Sequence, residues 1–284
     1  MPHPGVGWSQ TASREGHAAP SKNALPVNHT EAKAVQKSPA LCVAAVEMRP
    51  SFGDPLGALD RLEAVFASPQ MDGVDLALLP EAALTGYVSP EGNFDLARFA
   101  EPLEGPTAGR LASLARRYRR ALAGPLIERD GDRLFNGLLL FDKEGERIGH
   151  WRKRHPWYPE RWATPGNFGT PVIPFQGLKV AAGICFDVHF VSEDACGALD
   201  HSDVFLFPSA WVDDHSDGRE AVLPPLARRH GLWVVNANWG CSEPPRRGQG
   251  GSRILDCAGQ VVARAGEGDG PHIVRALIPV PELG

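Results

Sequence analysis

LKVAAGICFDVHF, residues 178–190, is the stretch on which the reading of this chain turns. An apolar run, residues 180–184, ends in Cys185 and gives way at once to a polar turn. A short apolar run bounded by turn residues fits a strand buried on both faces. Open α/β folds gather their reactive groups at the carboxyl ends of such strands. Free cysteine is also among the most buried residue types, so packing alone is the competing reading of Cys185. The surrounding chain favours chemistry. Residues 74–79 form a similar run ending in Pro80-Glu81, residues 204–207 one ending in Pro208-Ser209-Ala210-Trp211, and residues 232–238 one ending in Asn238. Four apolar runs that stop at polar or reactive groups place Glu81, Cys185, Ser209 and Asn238 at strand ends. If the Glu81 and Cys185 strands were parallel neighbours, both groups would lie on one sheet edge.

Between these runs the pattern is helical. Asp54-Pro55 reads as an N-cap followed by proline in the first turn, with Leu59, Leu62, Val65 and Phe66 as the apolar face. Residues 107–120 are amphipathic, with Leu111, Leu114, Ala115 and Tyr118 on one stripe and arginines on a solvated face. A first strand is expected at LCVAAV, residues 41–46. Further strands are expected over 121–127, 134–141 and 147–151, the last two joined by the turn Asp142-Lys143-Glu144-Gly145. Residues 153–170 read as irregular, 193–200 and 219–230 as helices, and 260–264 and 273–278 as closing strands. Pro224 and Pro225 leave the start of the second of these helices unsettled. Strands alternating with helices indicate an α/β protein.

Composition bounds the function classes. The 284 residues are 43% hydrophobic and 22% charged, which suits a large core. A formal net charge of −5 supplies no basic face for nucleic acid. The cysteines are Cys42, Cys185, Cys196, Cys241 and Cys257. No pair has CxxC spacing, and an odd count points to free thiols in a reducing compartment. No apolar run reaches the roughly 18 residues of a membrane span, and no signal-peptide core opens the chain, so a cytoplasmic protein without a membrane partner is expected. Residues 1–39 are rich in Pro, Ser, Ala, His and Asn without apolar periodicity. They read as a disordered extension ahead of a single domain, residues 40–284.

A cysteine nucleophile needs a base for its proton and donors for the developing oxyanion. Glu81, partly buried at a strand end, can be that base, its pKa raised by desolvation; otherwise it is a surface turn residue after proline. Lys153, in WRKRH, is either an electrostatic partner or one member of a solvated basic run.

These residues carry a resemblance. LLPEAALTGY around Glu81, WRKRHPWYPERWATPG around Lys153 and GICFD around Cys185 resemble, in that order, the three motifs of the nitrilase superfamily, the carbon–nitrogen hydrolases. The likeness extends to FNGLLLFDKEGERIGHWRK, DVFLFPSAW, LWVVNANWG and GGSRILDCAGQVVARA, and covers residues 41–280. It implies a four-layer αββα sandwich and dimers that pair through helices into an eight-layer assembly, as a homodimer or a higher homo-oligomer. It implies Cys185 as nucleophile, Glu81 as general base, and Lys153 as the cation that holds the tetrahedral intermediate. Glu160 would position substrate or the lysine, the backbone N–H of Phe186 would complete the oxyanion hole, and Tyr87 and Trp211 would line the pocket. Asn136 matches a structural asparagine. No metal or organic cofactor is implied. The substrate would be a small linear amide, cleaved through a thioester with release of ammonia or an amine.

The chain also departs from the pattern. Phe186-Asp187 follows the cysteine where nitrilases of the superfamily carry Trp-Glu, which favours amides over nitriles. His189 occupies a position that many amidases fill with arginine, and LARRHGLW replaces a usually acidic stretch. His189 is read as a pocket residue or, more simply, as a packing one. Cys196, Cys241 and Cys257 are read as structural. Nitrile or N-carbamoyl-amine hydrolysis, acyl transfer to an amine, and a non-catalytic scaffold are the competing functions. The last would be marked by loss of Glu81, Lys153 or Cys185, and all three are present.

Overall fold

The computed structural model describes residues 39–49, 51–212, 218–240, 247–268 and 270–281. In chain order these form β1 (Ala40–Glu47), α1 (Pro55–Phe66), β2 (Leu76–Leu78), α2 (Pro106–Tyr118), β3 (Ala121–Asp130), β4 (Arg133–Phe141) and β5 (Arg147–Arg152). There follow β6 (Ile173–Phe175), β7 (Leu178–Ala182), α3 (Val191–Asp194), α4 (Cys196–Asp200), β8 (Val204–Pro208), α5 (Arg219–His230), β9 (Trp233–Ala237), β10 (Arg253–Leu255), β11 (Val261–Arg264) and β12 (His272–Pro279). The N-terminal extension expected from composition, and Cys241, lie outside the described residues.

The strands make two six-stranded sheets, in the orders β12-β1-β2-β3-β4-β5 and β11-β10-β9-β8-β7-β6. Each has three parallel strands at its centre, β1-β2-β3 in one and β7-β8-β9 in the other, flanked by antiparallel partners. Period-2 alternation explains why both faces are dry. On β1, Val43 and Ala45 point between the sheets, where they meet Val180, Leu206 and Val235. Ala44 and Val46 point outward under Leu59 and Leu62 of α1 and Leu111 and Leu114 of α2. On the far side, Phe205 and Phe207 of β8 pack beneath Leu223, Leu226 and Ala227 of α5. The result is the expected αββα sandwich. Each fully buried leucine contributes about 1.5–3 kcal/mol by leaving water.

Local signals act as read. Asp54 caps α1 by accepting the Gly57 N–H at 3.0 Å, with proline in the first turn. Other expectations need correction. Glu81 and Cys185 do not share a sheet edge: β2 and β7 belong to opposite sheets. Both strands point their carboxyl ends to the same end of the sandwich, so the groups meet across it. The helix expected over 193–200 is two short helices broken at Ala195. Pro224 and Pro225 lie inside α5, which starts at Arg219 and ends on Gly231 at φ 65°. The burial of Leu223, Leu226 and Ala227 holds that helix where the backbone ladder lacks two donors. Strand β6 lies beyond the stretch read as irregular. Cys257 is exposed, so it does not pack as a structural residue. Among the described residues no helix is long and apolar enough to cross a membrane.

Candidate active site

Glu81 leaves the end of β2 and is buried. Lys153 follows β5 directly. Its main chain stays in register, its N–H donating to the Asn136 carbonyl at 2.8 Å and its carbonyl accepting from Gly166 at 2.8 Å. Far from being a solvated basic residue, its side chain is completely buried, with Nζ 2.7 Å from Glu81 Oε1 and 2.6 Å from Glu160 Oε2. Asn136, on β4, donates from Nδ2 to Glu81 Oε1 and to Glu160 Oε1, both at 2.8 Å. One amide therefore spaces the two carboxylates while one ammonium bridges them. Glu160 is fixed by a further N–H from Trp157 at 2.6 Å. Glu81 Oε2 alone in this cluster of carboxylate oxygens has no hydrogen-bond partner of its own.

Cys185 begins a short 3-10 turn, Cys185–His189, at the end of β7. Its φ of 48° lies in the left-handed region that a non-glycine residue rarely enters. A sharp bend of this kind lifts the side chain out of the sheet; the residue is partly exposed at the cleft while its sulfur stays buried. The Ala210 backbone donates to the sulfur, and Glu81 and Lys153 both act on it electrostatically. The three sequence-predicted groups, Glu81, Lys153 and Cys185, thus share one site, with Glu160 and Asn136 beneath it.

Above the thiol opens a cleft of about 270 Å³, lined by Tyr87, Trp157, Phe186, His189, Trp211 and Val212, among others. Tyr87 is buried, its ring centroid 5.8 Å from Lys153 Nζ and its hydroxyl without a partner. Trp211 is placed by Asn238, whose Oδ1 accepts the Trp211 N–H at 2.8 Å and the Ser209 hydroxyl at 2.9 Å. The polar groups ending β8 and β9 therefore shape the wall and do not face the thiol as reactants. His189 is exposed, with its ring centroid 5.2 Å from that of Phe186 and 5.9 Å from that of Trp211. It is a residue of the cleft mouth and does not pack in the core, because the turn that bends Cys185 carries it outward. Among the described residues no cluster of three His, Cys, Asp or Glu side chains is set to hold a metal ion.

The carbon–nitrogen hydrolase family model matches residues 42–279. The chain is a carbon–nitrogen hydrolase. It is 29% identical to an (R)-stereoselective amidase from Pseudomonas sp over 70% of this chain and 72% of that protein. It is also 29% identical to a nitrilase from Pyrococcus abyssi over 79% of this chain and 85% of that one. Among solved structures, an amidase from Nesterenkonia sp. superposes with a TM-score of 0.75 at 25% identity, covering 84% of this chain and 90% of that one.

The electrostatics of this carbon–nitrogen hydrolase follow from burial. Desolvation raises the Glu81 pKa; Lys153 pulls it back down and Glu160 pushes it up, with a net rise. Desolvation would lower that of Lys153, but Glu160 and Glu81 overcome it and keep the ammonium charged. The Cys185 thiol is pushed well up by burial and by the Glu81 charge, against Lys153. The cysteine therefore holds its proton at rest, beside a carboxylate made unusually basic. His189 is lowered by partial burial and is neutral near pH 7. Sequence reasoning missed Trp157, Asp187, and the Ala210 N–H. Only Asp187 carried a signal, its place two residues beyond the cysteine.

Proposed function

We propose that this hydrolase cleaves the C–N bond of a small linear amide through a Cys185 thioester. The observation that carries the reading is the Lys153–Glu81 contact of 2.7 Å, which leaves Glu81 Oε2 unpartnered beside a protonated thiol. In the first step the thiol proton passes to Glu81 as sulfur forms a bond to the amide carbon, and the carbonyl electron pair moves onto oxygen. Lys153 and the Phe186 N–H hold that oxyanion, the environment in which preorganised donors act most strongly. The C–N bond then breaks, its electron pair leaving with nitrogen, which takes the proton from Glu81. In the second step water gives a proton to Glu81 and adds to the thioester. The C–S bond breaks, sulfur recovers the proton, and the acid departs.

An uncharged amide suits the cleft. Its walls are aromatic and aliphatic, and His189 is neutral, so the described lining offers no cation for a substrate carboxylate. The amidase among the relatives supports the same choice.

Ammonia release from a panel of amides, ureido compounds and nitriles, with Cys185→Ala as control, tests this. Turnover of amides that is lost in the variant is the expected result. Turnover confined to nitriles or ureido compounds would keep the cysteine and overturn the substrate class. Release unaffected by Cys185→Ala would remove the cysteine from the reaction. Amide consumption without acid product, seen only when hydroxylamine is added, would make the protein an acyl transferase.

A further inference from the structure

Asp187 is buried two residues beyond the nucleophile and is spent entirely on main-chain donors and one histidine. Its Oδ2 accepts the Ile184 N–H at 2.9 Å. Its Oδ1 accepts the N–H of Arg154 at 3.0 Å and of His155 at 2.8 Å, and lies 3.2 Å from His155 Nδ1. Ile184 follows β7 in one sheet; Arg154 and His155 follow Lys153 at the end of β5 in the other. One carboxylate thus ties the residue before the nucleophile to the two residues after the lysine, across the gap between the sheets. The Asp187 N–H also donates to the Ile184 carbonyl at 3.1 Å, so a reciprocal pair of bonds brackets Cys185 at its left-handed φ. His155 extends the brace: Nε2 lies 2.9 Å from Asp194 Oδ2 on α3, and its ring stacks on Phe190 at 4.3 Å between centroids.

We infer that Asp187 is a positioning residue that sets the Lys153 ammonium and the Cys185 sulfur in register for attack, a role that rests on the reaction proposed above. It touches no reacting atom. A strained backbone persists only where its surroundings over-determine it, and the paired Ile184–Asp187 bonds do this at Cys185. The same oxygens fix the main chain on which Lys153 is carried. Loss of the clamp lets the bend relax and the two segments part, and a shift of about 1 Å in such a constellation costs roughly 10²-fold in rate.

Two effects of neutralising Asp187 have opposite signs, which makes the test sharp. Removing a nearby negative charge would by itself favour the Cys185 thiolate and speed its alkylation. Losing register with Lys153 removes the cation that lowers the thiol pKa, and slows it. The experiment measures iodoacetamide labelling of the Cys185 peptide against pH, and kcat and KM for an amide, in wild type, Asp187→Asn and Asp187→Glu. Asp194→Asn is the control, because it touches His155 but none of the main-chain donors. The expected result for Asp187→Asn is labelling slowed about tenfold with its pH profile moved upward, and kcat down by roughly 10²-fold with KM nearly unchanged. Asp187→Glu, which keeps the anion among its N–H donors, should show a smaller loss of the same kind, and serves if Asp187→Asn does not fold. Labelling equal to or faster than wild type in whichever variant folds would overturn the inference. The labelling arm needs no substrate. A wild-type enzyme silent on every amide would sink the proposed reaction, while slowed labelling in the Asp187 variants would still support the positioning of Lys153 against Cys185.

Discussion

Lys153 Nζ lies 2.7 Å from Glu81 Oε1 although the residues are 72 positions apart, and neither side chain reaches water. A buried charge pair of this kind is a poor source of stability, since desolvation consumes most of its attraction. Its value is in holding one carboxylate oxygen so that the other is aimed. Replacing Glu81 by Gln keeps the shape and removes the proposed base. Amide turnover should fall by roughly 10²–10⁴-fold with KM little changed, measured by steady-state kinetics. A loss under tenfold would mean that the proton goes elsewhere.

Glu160 shares the same ammonium and raises the Glu81 pKa by its charge. The acid limb of kcat/KM in the wild type should therefore lie above the ordinary carboxylate range. In Glu160→Gln the raising charge is gone while Lys153 still favours the Glu81 anion, so the limb should move to lower pH. A pH profile of each protein decides it, and movement upward would contradict this assignment of charges.

Away from the site, Glu128 is buried between His150 and Arg152, with His150 Nε2 2.9 Å and Arg152 Nε 2.8 Å from Oε2. Burial alone would raise its pKa, but those hydrogen bonds prevail and lower it from 4.5 to about 2. A depressed carboxylate stabilises the fold above its unfolded pKa, and that contribution is lost as pH falls toward 2. At about 1.4 kcal/mol per pK unit the contribution is roughly 3 kcal/mol. Glu128→Gln should be less stable than wild type by about this much at pH 7 in denaturant titrations, and the difference should shrink between pH 5 and pH 2.

Leu206 sits fully buried between the sheets, against residues of both. Leu206→Ala should cost about 2–5 kcal/mol through lost transfer energy and the cavity left behind. Chemical denaturation should show a lower midpoint at an unchanged slope, the sign of lost packing without a change of fold.

Trp211 walls the cleft beside His189 and Phe186. Trp211→Ala should raise KM for amides with bulky apolar acyl groups by about tenfold, the loss of about 1–2 kcal/mol of burial, while acetamide is affected little. Equal losses for both substrates would move Trp211 from the substrate wall to support of the nucleophile.

Much of the site was legible in the chain because its signals are local. An apolar run that stops at Glu81 or Cys185, and a strand that stops at Lys153, each mark a strand end without knowledge of any other segment. Asn136 looked structural because an asparagine inside a strand says nothing of its partners; its two hydrogen bonds, to Glu81 and to Glu160, exist only once β4 lies between β3 and β5, with β2 one strand further on. His189 pointed two ways for the same reason, since its exposure depends on how sharply the chain bends at Cys185. The continuity of α5 through Pro224 and Pro225 was hidden because tertiary burial overrode a local rule.

The sequence by itself determined the α/β character, the cap of the first helix, the strand ends and which polar residues stand at them. These follow from periodicity, turn chemistry and residue type, which act over a few neighbouring residues. Only the tertiary structure decided that β2 and β7 belong to facing sheets, that Lys153 is buried, and that Asp187 joins the end of β7 to the segment after β5. Each of these depends on which distant segments exclude water from one another. Desolvation and charge pairing act through space, between residues whose separation along the chain carries no record of their contact.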